Sequence, residues 1–563
     1  MPTLIGLPTL FRDLGIFVLR YLKKMQKLLI FFVLTLLSVM LISQPGFEWA
    51  QACGHPFYGE TNSVLEADAE GNIFMAGSFV DEAAFGAFYA VSTGGTDVFI
   101  AKHNASGEAL WLISDGGDDF DYLHGLSVDE EGFYTCGSFY GTSRLGSNTF
   151  ISLGSKDILL ARYDLQGNLI WAKQVGSPKT DYVNAITTDP SGNMFISGYY
   201  YDSIAFGDTT IYSRGASDIF LAKYDVDGNL IWLTQDGGSS SDQSYTLSCD
   251  SEGNLVYTGS FFYDILVGDS LISTSDPTGV FMAKYDNDGR LIFARQVDGN
   301  GLLARSFASF DKEDNIYFAG NFTDQVNFGP YNFDAGAFNI DLFITRYDHD
   351  GQLLWADHGH SAGSDPLISI SSGPLNDLYI SGHFLDTIHF SDLTLKYTLC
   401  CGSAEIFMVR YTEDGTPAWG DQISGERALT ESMIKNNADE LFVSGMFQGE
   451  LTFGGIMIES GSDYNNFLSG VATETMTSIP DQGIYSEIKI YPNPAGGHIN
   501  ITATDQNSKL DYSLMNMMGQ TIMSGSFIGH SKIDLGNITA GNYVLRTSDY
   551  EKRITVSEMI VIW

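Results

Sequence analysis

"DIFLAKYDVDGNLIW", residues 218–232, reads as two apolar runs folded about a tight turn, and the chain repeats it as "DILLARYDLQGNLIW" at 157–171 and "DLFITRYDHDGQLLW" at 341–355. Turns of the Asp-Gly or Gly-Asn kind need positive φ, which Gly, Asn and Asp adopt at little cost, so each line predicts a β-hairpin. Within "DIFLAKYD", Ile219 and Leu221 point one way while Phe220, Ala222 and Tyr224 point the other. Apolar residues on both faces imply a sheet covered on both sides.

Outward from the hairpin, a longer period governs the chain. Gly77, Gly137, Gly198, Gly259, Gly320, Gly382 and Gly445 stand 60, 61, 61, 61, 62 and 63 residues apart. Two places after each comes Phe79, Phe139, Tyr200, Phe261, Phe322, Phe384 or Phe447, and eight places after each an apolar residue, from Phe85 to Phe453. Each unit predicts four main strands. "VNAITTD" at 183–189 is the first, "MFISGYY" the second, "IAFGDTTIYSRG" a rim hairpin, and the opening line supplies the outer pair. Ser, Thr and Ala in the first strand suit crowding near a central axis.

Trp49, Trp111, Trp171, Trp232, Phe293, Trp355 and Trp419 mark the outermost strand. Trp49 precedes the first complete unit, whereas the seventh unit ends at "NNFLSGV" with no such strand after it. The N-terminal piece is therefore expected to complete the last blade. An open array would expose two blade faces of ~400 Å² each, forfeiting ~20 kcal/mol, more than a typical domain's stability. The expected fold is all-β: a seven-bladed β-propeller closed by an N-terminal strand, then a small C-terminal β-sandwich.

Composition agrees. The 563 residues are 44% hydrophobic, with 61 Gly and 14 Pro, as in a folded, turn-rich protein. Net charge is -40, and removing residues 1–43 leaves 24 bases against 68 acids, a surface that repels nucleic acid. Cys53, Cys136, Cys249, Cys400 and Cys401 have no metal-ligand spacing. Cys136 fills a slot that is Ala76, Ser197, Thr258 or Ala319 in other units, a small-residue core position.

Residues 1–43 read as a Sec signal peptide, with Lys23, Lys24 and Lys27 ahead of an apolar run from Leu28 to Ile42, and Met25 as an alternative start. The competing reading is a single membrane anchor, but the run is short for a span. No integral span is expected after processing.

"ITTDPSGNMFISGYY" and the period near 60 resemble the bacterial β-propeller repeat family called SBBP, over about residues 44–472. Propellers host binding, scaffolding and catalysis alike, so the resemblance implies fold and leaves chemistry open. After a linker at 473–485 come "IKIYPNPAGGHINI", "NMMGQ" and "ITAGNYVLR". Tyr491, Pro492, Asn493, Pro494, Gly519, Gly541 and Tyr543 carry landmarks by which residues 486–563 resemble the type A C-terminal sorting domain of the Bacteroidetes type IX secretion system. That resemblance implies export to the outer cell surface or beyond, with the secretion machinery and a surface sortase as partners. Such tails commonly finish near a basic residue, whereas this chain runs on through "VSEMIVIW".

Lys102, Arg162, Lys223, Lys284, Arg346 and Arg410 share one slot in six units, and Gly470 replaces them in the last. A ring of cations would suit an anionic glycan. The simpler reading pairs each with acids near the adjoining turn, at an exposed blade edge where a pair contributes ~0–1 kcal/mol. "DVDG", "DNDG" and "DHDG" allow Ca²⁺, but strand residues follow where further oxygen ligands would stand, so hairpin turns are expected and no cofactor is supported. In "ADHGHSAGSD", Asp357, His358, His360 and Asp365 lie close together, and His-x-His has the spacing of a transition-metal ligand pair.

The Asp turns resemble the sialidase Asp box but place Gly directly after Asp. No nucleophile elbow, P-loop or dinucleotide fingerprint is legible. The expected function is a non-catalytic binding module for a glycan, matrix or protein ligand. The alternatives are a glycan-active hydrolase or lyase with unrecognised acids, and a structural surface-layer component.

Overall fold

The computed structural model describes residues 47–53, 63–471 apart from 300, 337–338, 364–365, 374, 399–403, 437 and 439, and the segments 488–491, 498–503, 509–516, 521–528, 530–536, 538, 541–549 and 554–562. The expected signal peptide and linker, Asp365, Cys400, Cys401, Pro492, Asn493, Pro494 and Gly519 lie outside the described residues. Chain contacts divide the protein into two units between Thr473 and Glu474.

The first unit is a propeller-like succession of four-stranded antiparallel sheets. The third is typical, with Asp181–Thr188, Met194–Phe206, Thr209–Tyr224 and Leu230–Asp236 paired in order. Its two middle strands pair from Met194↔Tyr224 to Phe206↔Thr209 with one irregularity at Tyr201/Ser203, so the expected rim hairpin is a continuation of those strands. In the first sheet the same excursion is a separate hairpin, Glu82–Phe85 with Phe88–Val91. One long strand, Pro417–Lys435, serves two sheets: Pro417 to Ile423 close one, and Ser424 to Lys435 begin the next.

Steric crowding explains the repeat glycine. A Cβ on Gly198 would lie 1.9 Å from the Tyr182 carbonyl oxygen and 2.7 Å from the Phe220 ring, and one on Gly445 2.0 Å from the Leu429 oxygen. The inner strand and a third-strand ring leave no room for a side chain.

The opening hairpin explains the tryptophans. Asp225 Oδ1 accepts the backbone N–H groups of Asp227 and Asn229 at 3.0 and 2.7 Å, and Gly228 takes φ 76°. This turn lies on Trp171 of the preceding sheet, whose Nε1 donates to the Val226 carbonyl at 3.0 Å. Trp232 does the same to Asn287 O at 3.0 Å and Trp355 to Glu413 O at 2.9 Å.

The N-terminal strand completes the pattern. Phe47–Cys53 pairs antiparallel with Ile456–Val471, from Phe47↔Val471 to Cys53↔Asn466. Trp49 Nε1 then donates to Ala105 O at 3.1 Å, in the outer turn of the first sheet. Cys53, Leu65, Ile73, Met75 and Phe85 share one core with Phe442 and Leu468 of the last sheet.

In the second unit, Ile488–Tyr491, His498–Ala503 and His530–Asp534 form one sheet, and Thr521–Ile528, Lys509–Asn516, Gly541–Asp549 and Ile554–Ile562 form the other. Ile499, Ile501 and Ile533 pack against Leu514, Tyr543 and Leu545 in a single core, as in a sandwich. The run that departs from the usual tail ending is an edge strand, paired with its neighbour from Gly541↔Ile562 to Asp549↔Ile554.

Replacing Trp49 by Ala is expected to cost about as much as replacing Trp232, on the order of 2–4 kcal/mol, read as matched decreases in thermal midpoint. A Trp49 variant as stable as wild type would show that the N-terminal strand closes nothing.

Candidate functional site

The inner strands surround a cavity of about 810 Å³ whose lining runs from Val64 and Glu66 to Lys435 and Asn436. Their serines and threonines satisfy the exposed N–H groups of the next inner strand. Thr246 Oγ1 accepts from Ala308 N at 3.0 Å, Ser369 Oγ from Met433 N at 3.2 Å and Ser371 Oγ from Lys435 N at 3.2 Å. The same contact joins the last sheet to the first, where Ser432 Oγ accepts from Leu65 N at 3.2 Å.

Inner strands also break register, at Leu123/Gly125, Val183/Ala185, Ser244/Leu247, Leu302/Ser306, Leu367/Ser369 and Thr430/Ser432. A bulge re-aims the surplus side chain. His124, Asn184, Tyr245, Arg305, Ile368 and Glu431 fall at these breaks, and all six line the cavity. A near-uniform repeat thus presents one chemically distinct group per bulge.

Several of these groups are held in place. His124 Nε2 bonds Ser138 Oγ at 2.8 Å, and burial pushes its pKa down to about 3, so the ring is neutral. Tyr245 OH reaches Ser260 Oγ at 2.9 Å and donates to Gln243 Oε1 at 3.1 Å. Glu431 Oε2 accepts from both Ser63 N and Ser63 Oγ at 2.7 Å, while Oε1 has no partner. Burial pushes the carboxyls of Glu431 and Glu66 up to about 7. The Arg305 guanidinium lies 5.5 Å from the Phe307 ring centroid.

The six-unit cation slot forms ion pairs, but inside the sheets. Lys102–Asp68, Arg162–Asp129, Lys223–Asp189, Lys284–Asp250, Arg346–Asp311 and Arg410–Asp377 approach to 2.8, 3.5, 2.9, 3.0, 2.5 and 2.7 Å. In four of them neither side chain exceeds 8% exposure, which corrects the exposed-edge expectation. The acid belongs to the turn after the inner strand and also caps it: Asp189 Oδ1 accepts from Ser191 N and Asn193 N at 2.9 Å. The cation reaches on to the next sheet, as Arg162 does to Val226 O at 2.8 Å. Where Gly470 replaces the cation, Asn436 stands in the acid's place and Trp49 covers the glycine. Breaking one partner of such a buried pair strands the other charge, so charge-neutral residues at both slots are self-consistent.

The metal candidates separate. His358 and His360 stack at 5.1 Å between centroids, and His360 meets His389 of the neighbouring strand at 5.2 Å. Asp357 is turned elsewhere, accepting from Ser391 Oγ and Tyr411 OH at 3.0 Å. Among the described residues no three His, Cys, Asp or Glu side chains converge to hold a metal ion. Cys136 is fully buried, and burial raises its thiol pKa.

Comparison with known proteins bears on both units. Residues 489–562 match the secretion system C-terminal sorting domain, and residues 170–199 match the beta-propeller repeat. The chain is 23% identical over 329 residues to the WD repeat-containing protein L264 of Acanthamoeba polyphaga mimivirus, covering 46% of this chain and 23% of that one. It is 23% identical over 140 residues to the regulatory protein FlaEY of Caulobacter vibrioides, covering 24% of this chain and 15% of that one. The matched stretch is thus about a quarter of the first relative's length and less of the second's. A rhamnogalacturonan lyase structure, YesW, covers 77% of this chain and 81% of its own at 11% identity, but its TM-score of 0.22 carries no argument.

Buried acids recur between sheets. Asp97, Asp157 and Asp218 open third strands, and Asp121, Asp181 and Asp242 open the inner strands that follow. Burial, with the neighbouring acid adding to it, pushes Asp121, Asp181 and Asp242 up to about 7. At the next interface both acids are absent, with Gly279 and Leu302 in their register positions. A carboxyl whose folded pKa lies above its unfolded value holds a proton that the unfolded chain has lost, so its contribution to stability falls as pH rises from about 4 to about 7. Asp181→Asn, which stays neutral, is expected to gain on the order of 1–2 kcal/mol over wild type at pH 8 and little at pH 4. Equal destabilisation at both pH values, read by thermal melts, would contradict this.

Proposed function

We propose that this chain, which joins beta-propeller repeats to a type IX secretion sorting domain, is a seven-bladed ring that works outside the cell as a non-catalytic binding module. Its ligand is a glycan, a matrix component or a protein, taken in the central channel. The observation that carries the reading is the set of bulge side chains, each different, facing one cavity within an otherwise repetitive scaffold. Six distinct groups on rigid strands suit recognition, and a purely structural ring has no use for them.

The seven-blade count is supported by the glycine period and by contacts of Trp49 and Ser432 that copy those between neighbouring sheets. In the proposed organisation a signal peptide spans 1–43, the ring 44–472, a linker 473–485 and the sorting domain 486–563. Secretion machinery and a surface sortase engage the last of these.

A second reading, a glycan-active hydrolase or lyase, is favoured by Glu66 and Glu431, two carboxyls poised near neutral pH on one cavity. A glycan array and a polysaccharide-degradation panel separate the two. The binding reading expects array signal without product release, whether or not Glu431 is changed to Gln. Products that disappear in Glu431→Gln would establish the enzyme instead, and silence in both assays would leave a structural surface component.

A further inference from the structure

We propose that the channel binds an acidic saccharide and that Arg305 receives its carboxylate. The inference rests on the binding-module reading and names its ligand class.

Arg305 is the anomaly among the arginines. Arg144, Arg162, Arg290, Arg346 and Arg410 are paired with carboxylates. Arg214 and Arg295 donate to backbone carbonyls, and Arg427 to Gln448. Among the arginines whose side chains are described, only the Arg305 guanidinium makes neither a hydrogen bond nor an ion pair; it lies over the Phe307 ring. The Glu431 carboxyl acts on it through space but makes no ion-pair contact with it, so in a chain with 69 acids against 29 bases its guanidinium keeps its donors for another partner.

Its position gives the guanidinium a direction. Arg305 falls in the inner-strand bulge between Leu302 and Ser306, is itself exposed, and lines the cavity. Planar guanidinium donors match a carboxylate's two oxygens, and a walled channel strengthens that pairing relative to open water. The charge setting selects for a single negative charge. Glu66 and Glu431 line the same cavity and oppose a dianionic phosphate, and Lys435, the other cation there, already donates to Tyr379 OH at 2.6 Å.

The remaining lining fits a sugar. Gln243, Ser248 and Ser371 offer an amide and hydroxyls, and Tyr245 offers a ring face for the C–H side of a pyranose. The volume, about 810 Å³, is in the range of small-molecule sites.

The test is calorimetric titration of the full protein with D-glucuronate and with D-glucose, which share ring and hydroxyls but differ in the carboxylate. Glucuronate is expected to bind at least tenfold more tightly. Arg305→Gln should erase that preference without moving the thermal midpoint, and Arg305→Lys should keep part of it. Arg305→Gln binding glucuronate as tightly as wild type would overturn the assignment. So would equal binding of the two sugars by wild type, although glycan binding would then keep the module reading intact. No binding to either sugar or to any glycan on an array would overturn both.

Discussion

A sheet with apolar residues on both faces is stable only with a neighbour on each side, and the strand Phe47–Cys53 supplies that for the last sheet. It pairs with Ile456–Val471 along most of its length and lays Trp49 on the outer turn of the first sheet. Every other junction uses a hairpin that is continuous in sequence. Here residues more than 400 apart in the chain meet, as when Ser469 Oγ donates to Trp49 O at 2.7 Å. The buried pairs, the hydroxyl ladder and the cavity all presuppose that the inner strands stand side by side, so they depend on this junction.

The scaffold divides its work by radius. Towards the rim the units are nearly interchangeable: a capped Asp turn, a tryptophan beneath it, and a cation gripping the inner turn of its own sheet while reaching the next. Towards the axis, hydroxyls carry the strand-to-strand bonding and a bulge releases one side chain from the repeat. Variation there leaves the packing of Phe, Tyr and Leu between sheets untouched, because a bulged residue belongs to neither apolar face. Chemistry can therefore change from unit to unit without cost to the scaffold.

Much of this was legible in the residues. The glycine period, the aromatic two places on and the outer tryptophans all follow from local crowding that recurs in every unit. The cation slot was visible too, but its burial was not. Whether a hairpin edge faces water depends on the next sheet, and here the Val226 turn closes over Arg162. The bulges were hidden because one surplus residue is lost among repeats already varying between 60 and 63. His389 joins His358 and His360 only through pairing of His360 with His389 across two sheets' rims, which spacing does not encode. Residues 556–562 of "VSEMIVIW" belong to the strand Ile554–Ile562, whose place in the sandwich is set by its pairing with Gly541–Asp549 and not by its own pattern.

The most direct test of the account is a cross-link across the junction. Cys53 lies opposite Asn466 in register, a separation at which paired strands can accept a disulfide. Oxidised Asn466→Cys protein should yield, on peptide mapping, a single new disulfide joining the segment around Trp49 to the segment around Phe467. Links from position 466 to other cysteines, with Cys53 left out of them, would contradict a closed ring.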